Sequence, residues 1–343
     1  MIVTSERSEY RRKAVHIPQA VFQARYKWTM TEFRHRIALI IPTRNRPELL
    51  EKLLQSLQHQ TVHASQVIVV DGSDEPVETV TKRFAIPGIS YVRVFPPSLA
   101  KQRNEGIKTL NDDITLAGYL DDDIILDKDA IEAMLRYWEE CPDDVGGSSF
   151  HITNNELASP LVRIPGKLLG KLFWCDDFGQ GKVLRSGFAT PVIPVLKDTY
   201  TEWLCGGATV WKKEILEDSK YDEKLGGSSY VEDIDFSFRA AKHYRLVVIH
   251  GAKVQHYPPP FNPRKSYLMG RMNVHHHYHF VRKNPELSVP LFYWAILGEA
   301  IILLFASIPR RSSYGIYKAF GNIAGLFDLM RRRHFQTDQE FRK

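Results

Sequence analysis

Residues 37–58 read IALIIPTRNRPELLEKLLQSLQ, and this stretch contains the unit that the following residues repeat. Residues 37–41 are a continuous apolar run of strand length, which Pro42 ends. Leucines then recur at positions 49, 50, 53, 54 and 57, a spacing that places them on one side of a helix. The stretch therefore predicts a buried strand followed by an amphipathic helix.

The same order of elements repeats along the next eighty residues. Apolar runs at 67–70, 89–95 and 114–120 have strand length, and each of the first two is followed by turn residues and a helix-like segment. Buried strands that alternate with helices are typical of a parallel sheet covered on both faces. We therefore expect an α/β, Rossmann-like fold with a mostly parallel sheet flanked by helices.

Polar residues stand where the predicted strands end. Thr43, Arg44 and Arg46 follow the first strand, Asp71 ends the second, and the triplet Asp121, Asp122 and Asp123 follows the fourth. Loops normally carry charge, so each could be a solvated loop residue. Three adjacent carboxylates, however, raise one another's pKa unless a cation neutralises them. Because ligands bind at the carboxyl ends of such strands, the triplet predicts a site for Mg²⁺ or Mn²⁺ and a substrate phosphate.

Six segments carry a resemblance to a known family when taken in this order: IPTRNRPELL (41–50), VVDGSD (69–74), LAKQRNEGI (99–107), LDDDI (120–124), GGATVWKKEI (206–215) and VEDIDFSFR (231–239). The chain resembles a family-2 glycosyltransferase of the GT-A fold over roughly residues 36–260. The resemblance implies a catalytic domain at 36–265, an N-terminal extension at 1–35 and a helical C-terminal region at 266–343.

The resemblance also implies which residues bind the donor, a nucleoside diphosphate sugar. The acid after the second strand is expected to bind the base, and the triplet corresponds to the DxD element of the family. The nucleotide-sugar-binding residues implied are Pro42, Thr43, Arg44, Asp71, Arg103, Asp121, Asp122 and Gly207. Asp123 and His256 are the implied metal ligands, although packing of His256 against the prolines that follow it is an alternative.

A second acidic cluster, Glu232 and Asp233, opens a predicted helix. Carboxylates in a first helical turn are favoured by the helix dipole, so capping is the purely structural interpretation. The resemblance instead implies that Asp233 is the general base that takes the proton of the acceptor hydroxyl, with Glu232 as second candidate. The resemblance implies an inverting reaction. The QxxRW element of processive synthases is missing from the sequence, which favours transfer of a single sugar.

The C-terminal region contains an apolar segment at 291–308 with one charge, Glu299, and an amphipathic segment at 314–333 that ends in arginines. Their length and composition suit either a membrane or a protein surface. A charge near the middle of 291–308 and a basic tail oppose a spanning helix. We therefore predict a membrane-associating extension that is peripheral or monotopic; packing on the catalytic domain or an oligomer interface is the alternative.

Bulk composition agrees with an intracellular enzyme that handles anions. The chain has 46 Lys and Arg against 40 Asp and Glu, and only three cysteines. Residues 1–36 contain no apolar run of the kind found in a secretory signal. We expect the cytoplasmic face of a membrane, the inner membrane if the source is bacterial, with a glycan or lipid-linked acceptor in polysaccharide biosynthesis and no nucleic-acid partner.

Two rival functions remain. A sugar nucleotidyltransferase has a similar sheet, but its glycine-rich loop after the first strand has no counterpart in IIPTRNRPE. A catalytically inactive, membrane-associated sugar-nucleotide-binding or scaffold protein would be expected to have lost an acidic cluster, and both clusters are present.

Overall fold

Nine strands form one mixed sheet in the computed structural model, which describes residues 33–155, 160–176, 179–226, 231–258, 262–310 and 313–332. Most of the predicted N-terminal extension and the end of the predicted 314–333 helix lie outside these residues. The strands are β1 (Ile37–Thr43), β2 (Gln66–Asp71), β3 (Ile89–Arg93), β4 (Leu116–Leu120), β5 (Ile124–Leu126), β6 (Val145–Ile152), β7 (Thr199–Thr201), β8 (Ala208–Lys212) and β9 (Arg245–His256).

The sheet has two halves that differ in strand direction. Its order is β3-β2-β1-β4-β8-β6-β9-β5, with β7 also paired to β9. The half from β3 to β4 is wholly parallel, as the sequence predicts. From β4 onward four of the five strand pairs are antiparallel, and only β6 and β9 run parallel. The predicted α/β class is confirmed, and the sheet as a whole is mixed.

Ten helices are described around this sheet. They are α1 (Pro47–Gln58), α2 (Glu78–Thr81), α3 (Leu99–Ile107), α4 (Ala130–Glu140), α5 (Pro160–Leu172), α6 (Lys213–Asp218), α7 (Glu232–Ala240), α8 (Pro263–Lys283), α9 (Val289–Arg310) and α10 (Ser313–Met330). Helices α4, α5 and α6 have no counterpart in the sequence-based prediction.

Apolar burial on both faces fixes the central strand. Every residue of β1 is buried, with alternate side chains in separate clusters above and below the sheet. On one face, the four leucines that α1 buries lie in the same apolar cluster as the odd-numbered residues of β1. Each buried leucine contributes about 1.5–3 kcal/mol. Pro47 suits the start of α1, where its missing N–H leaves no hydrogen bond unmade.

Helices α8, α9 and α10 follow the last strand and pack against one another. Glu299, near the middle of α9, accepts hydrogen bonds from Asn273 of α8 and Asn322 of α10, each at 2.9 Å. Its second oxygen lies 3.0 Å from Lys318 Nζ. Among the described residues, α9 is the helix long and apolar enough to cross a membrane by length and composition. Its charge nevertheless points at neighbouring helices.

Candidate active site

The acidic triplet lies directly after β4, at the edge where β1 and β2 also end. The register pairs β1 with β2 and β4 in parallel, which brings Thr43 and Asp71 to this edge. The backbone N–H of Asp121 donates to Gly207 O at 2.8 Å. A Cβ at position 207 would lie 2.5 Å from Asp121 Oδ2, so a larger residue there would displace the Asp121 carboxylate. The structure thus places Gly207 against the triplet.

The middle carboxylate of the triplet is already occupied by protein donors. Asp122 is buried, and its oxygens accept from Thr43 Oγ1 at 2.8 Å and Arg46 Nη1 at 2.9 Å. Burial raises the pKa of Asp122 to about 6, although Arg46 and Thr43 favour the charged form. Asp122 therefore holds the end of β1 in place. Of the two arginines that follow β1, Arg46 is the one with described contacts to the triplet.

The third carboxylate is paired with a histidine. Asp123 Oδ1 is buried and lies 3.3 Å from His256 Nε2, and the interaction with Asp123 raises the pKa of His256. No described group of three or more potential ligands is arranged around a metal position. One carboxylate and one imidazole nevertheless fit a cation that completes its shell with substrate phosphates and water, as Mg²⁺ and Mn²⁺ commonly do.

A fully buried arginine joins the two acidic clusters. Arg103, on α3, is 1% exposed; its Nη1 lies 2.8 Å from Glu232 and its Nη2 lies 3.3 Å from Asp121. The guanidinium carbon also lies over the rings of Tyr119 and Tyr221, 5.5 and 5.1 Å from their centroids. Arg103 therefore neutralises one carboxylate of each cluster, instead of standing open to a nucleotide.

The second cluster is held at the start of α7. Asp233 accepts hydrogen bonds from Gly206 N at 3.1 Å and from Ile234 N at 2.8 Å. Its carboxylate is therefore held close to Gly207, which contacts the triplet. Burial, followed by the charge of Asp233, raises the pKa of Glu232 to about 8. Burial also raises the pKa of Asp233. A carboxyl pair with raised pKa values suits proton transfer near neutral pH.

The backbone before this pair is strained. Val231 has φ 83° and ψ −13°, in the left-handed region that a β-branched residue rarely adopts. Such a conformation costs on the order of 1–3 kcal/mol and is concentrated at functional sites. The side chain of Val231 is buried, so packing holds the conformation in place. No sequence pattern signals this strain, because the residue itself is an ordinary strand former.

Asp71 ends β2 with its carboxylate fully buried. It accepts from Ser73 N, Val77 N and Tyr91 Oη, and Arg93 Nη1 lies 3.1 Å away. Burial opposes ionisation, but the hydrogen bonds from Ser73 and Tyr91 hold the pKa of Asp71 below its ordinary value. The charged carboxylate organises the turn after β2. Its role in binding a base stays a prediction.

Two basic residues near the triplet are not among the nucleotide-binding residues that the resemblance implies. Arg46 follows the first strand together with Arg44, and only the structure distinguishes their contacts. Lys265, at the start of α8, is half-buried; burial and the charge of Arg46 lower its pKa, while Asp123 and Asp122 oppose that shift. Lys265 is more than 140 residues from the triplet in sequence, and no motif links the two.

A family model identifies the part of the chain that carries the first cluster. Residues 38–189 match the model of Glycosyl transferase family 2. The chain carries a family 2 glycosyltransferase domain. The match includes β1, Arg103 and the triplet of this transferase, whereas Glu232, Asp233 and His256 lie beyond it.

One solved structure in particular shares the fold of the transferase. The mannosyltransferase PcManGT from Pyrobaculum calidifontis, in complex with GDP-Man and Mn²⁺, is 16% identical with a TM-score of 0.52, over 94% of this chain and 83% of that one. Residues 1–349 of TarS from S. aureus are 13% identical with a TM-score of 0.46, over 88% and 93%. No curated protein sequence matches significantly. The expected GT-A-like fold is confirmed.

Proposed function

We propose that the protein is an inverting glycosyltransferase that moves one sugar from a nucleoside diphosphate sugar to an acceptor hydroxyl at a membrane. The observation that carries the proposal is the ion pairing of Arg103 with Asp121 on one side and Glu232 on the other. Arg103 thereby brings the acidic triplet, proposed to bind the donor, next to the acidic pair that includes the proposed base. Two carboxylate clusters with separate environments suit two tasks, binding a cation with a diphosphate and removing a proton.

The donor is proposed to bind along the triplet. Asp121 faces the ribose or the sugar, and the residues at the ends of β1 and β2, Pro42, Thr43, Arg44 and Asp71, surround the nucleotide. Asp123 and His256 would hold Mg²⁺ or Mn²⁺, which supplies positive charge for the departing diphosphate. Arg46 and Lys265 lie on the same side and add charge for the phosphates.

On the acceptor side, Asp233 is proposed as the general base. Its carboxylate is oriented by two backbone N–H groups and stands one residue from Glu232, which Arg103 neutralises. Glu232 is buried, whereas Asp233 is partly exposed, which makes Asp233 the carboxylate that an acceptor hydroxyl can reach. Attack by the deprotonated hydroxyl on the face opposite the diphosphate gives inversion at the anomeric carbon.

The acceptor is proposed to be a lipid-linked or envelope glycan. Val231 and Ile234, on either side of the catalytic pair, belong to the same apolar cluster as Phe292 and Ile296 of α9. The base is therefore close to the helices proposed to attach the protein to the cytoplasmic face of a membrane. An acceptor carried by that membrane would reach the base without leaving the lipid surface, as polysaccharide biosynthesis requires.

Release of nucleoside diphosphate tests the reaction. A panel of sugar nucleotides that includes GDP-mannose and UDP-GlcNAc is offered with Mn²⁺ or Mg²⁺ and a lipid extract, to wild type and to Asp123→Asn. We expect metal-dependent turnover of one donor by wild type and its loss in Asp123→Asn. If no donor turns over and none raises the melting temperature, the inactive scaffold function is favoured instead.

Removal of Arg46 is expected to change the affinity for a metal ion, which can be measured without an activity assay. Because its guanidinium lies 2.9 Å from Asp122 and 3.5 Å from Asp123, it opposes a second cation there. The Arg46→Gln protein is expected to bind Mn²⁺ about tenfold more tightly in the absence of nucleotide, since a like charge is removed. Titration calorimetry or the spin resonance of free Mn²⁺ measures this.

Arg44→Gln is the matched control, because it removes the same charge two residues away. Equal Mn²⁺ affinity in wild type and Arg46→Gln would show that Arg46 does not oppose the cation.

A further inference from the structure

Exposed apolar side chains are concentrated on three helices. Twelve of the seventeen large apolar residues exposed in the described part of the chain lie on α5, α9 and α10. On α5, Ile164, Leu168 and Leu172 follow a four-residue spacing and are each more than half exposed. Phe305 on α9 and Phe320 on α10 are 65% and 57% exposed. The exposed sides of the three helices are called the apolar face below.

The apolar face is continuous from one helix to the next. Trp294 Nε1 of α9 donates to Leu172 O at 2.9 Å, and its ring lies 4.8 Å from that of Phe173, so α5 ends against α9. At the other end, Gly315 of α10 packs so closely that a Cβ there would collide with Ser307 of α9. The three helices that carry the apolar face are therefore in direct contact, α5 with α9 and α9 with α10.

Charge on these helices is distributed to suit an anionic partner. Glu299 and Asp328 are the two carboxylates in their sequence, and both are turned inward: Glu299 pairs with Lys318, and Asp328 with Arg271 at 2.5 Å. Lys171 and Arg331, in contrast, are exposed beside the apolar face. Basic side chains around an apolar surface are typical of proteins that bind anionic lipid surfaces.

A cavity at the edge of the apolar face would fit an anionic headgroup. It has a volume of about 330 Å³ and lies between α8 and α10, where Arg271, Asp328 and Arg331 line it together with the half-exposed ring of Phe327. Because Asp328 pairs with Arg271, the net charge of these three groups is one positive charge, and the exposed Arg331 is the group placed to contact a phosphate held above acyl chains.

Contacts with the catalytic half show how α9 is oriented. Cys175 Sγ lies 3.1 Å from Ala295 O, and Trp294 contacts Leu172, so the chain after α5 touches α9 within one turn of Glu299. A bilayer-spanning α9 would carry this segment, together with Asn273 and Lys318, into the hydrocarbon core. Their polar groups would lose water there, which is costly.

We propose that the apolar face inserts into one leaflet of an anionic phospholipid bilayer without crossing it, and that the cavity lined by Arg271 and Arg331 receives a phospholipid phosphate. Helix α5 is then a third membrane-binding element beside the two C-terminal helices. This deepens the proposed function, because it names the membrane partner and the side of the molecule that faces it.

Sedimentation with vesicles tests the surface. Wild type is expected to sediment with phosphatidylcholine vesicles that contain phosphatidylglycerol and more weakly with phosphatidylcholine alone. Leu168→Asp combined with Phe320→Asp should weaken binding more than about tenfold, because two inserted side chains become charged. Arg331→Gln should weaken binding about fivefold, and only to the anionic vesicles. Leu196→Asp, at a 77% exposed leucine outside the three helices, is the matched control.

Vesicle binding needs neither donor nor acceptor, so its failure leaves the proposed reaction untouched. The proposal would be overturned if wild type bound to neither kind of vesicle, with or without phosphatidylglycerol. Equal binding by the Leu168→Asp/Phe320→Asp and Leu196→Asp proteins would also overturn it. If wild type instead forms a dimer that the double substitution dissociates, the apolar face belongs to a second copy of the chain, which also overturns it.

Labelling of one introduced cysteine tests the orientation. Ser313 is exposed at the start of α10, after α9. Ser313→Cys protein added to preformed vesicles should react with an impermeant maleimide as fully before detergent as after it, with wild type as the background. Labelling that appears only after detergent would mean that α9 spans the bilayer, and the one-leaflet proposal would be wrong.

Discussion

Asp233→Asn is expected to reduce kcat by about 10²–10⁴-fold, the usual contribution of a general base. Asparagine is isosteric, but Gly206 N donates to Oδ2 of Asp233 and Ile234 N donates to Oδ1, so the asparagine oxygen keeps only one of these hydrogen bonds. Donor affinity should stay unchanged, and the melting temperature should fall only slightly, because one hydrogen bond is lost. Steady-state kinetics with the donor found in the panel, together with nucleoside diphosphate binding, separates the two effects.

The pH dependence identifies which carboxyl acts. Burial raises the pKa of Glu232 to about 8 and raises that of Asp233, so the pair binds a proton below neutral pH and loses it as the pH rises. The wild-type rate should therefore increase as the pH rises through the raised pKa of Asp233, and Asp233→Asn should lack this increase. If Glu232→Gln has the larger loss of kcat instead, the base is Glu232.

Lys318→Met is expected to lower the free energy of unfolding by about 3–5 kcal/mol, because it leaves the charge of Glu299 buried without its cation. Lys318 is 6% exposed, and its Nζ lies 3.0 Å from Glu299 Oε1. Urea unfolding in detergent, followed by tryptophan fluorescence, measures the loss. The expected size exceeds that of any exposed ion pair.

The double substitution Lys318→Met/Glu299→Gln serves as the control for that result. Glutamine keeps an oxygen for Asn273 and Asn322 but carries no charge, so most of the stability should return. A single substitution that costs under about 1 kcal/mol would show that Glu299 is solvated and that the three helices are less closely packed than described.

The parallel half of the sheet was readable from the sequence because each strand there is a continuous apolar run. The residues of β1, β2 and β4 are buried on both faces, and that burial leaves an unbroken apolar pattern. The antiparallel half was less readable. Strand β7 has three residues, and β6 begins with two glycines after a valine, so neither produces a periodic signal.

The candidate site was predictable where motifs are contiguous, and not where partners meet through space. The triplet and the Glu232–Asp233 pair stand together in sequence. The contacts of Arg103 with both clusters join residues 18 and 129 positions apart, and a single sequence shows no sign of such pairing. The same holds for Glu299, which was weighed as a charge facing lipid and is instead bound by three polar side chains of α8 and α10.

One apolar cluster contains Val231 and Ile234, at the start of α7, together with Phe292 of α9, and this has a practical consequence. A change in the packing of α9 would shift the residues that flank Glu232 and Asp233. The ends of β1 and β2 are not part of that cluster and would not be affected. A detergent that repacks the helices would then leave nucleotide affinity intact and slow the transfer step. A purified preparation that binds its nucleotide but turns over poorly would thus call for lipid replacement before it is judged inactive.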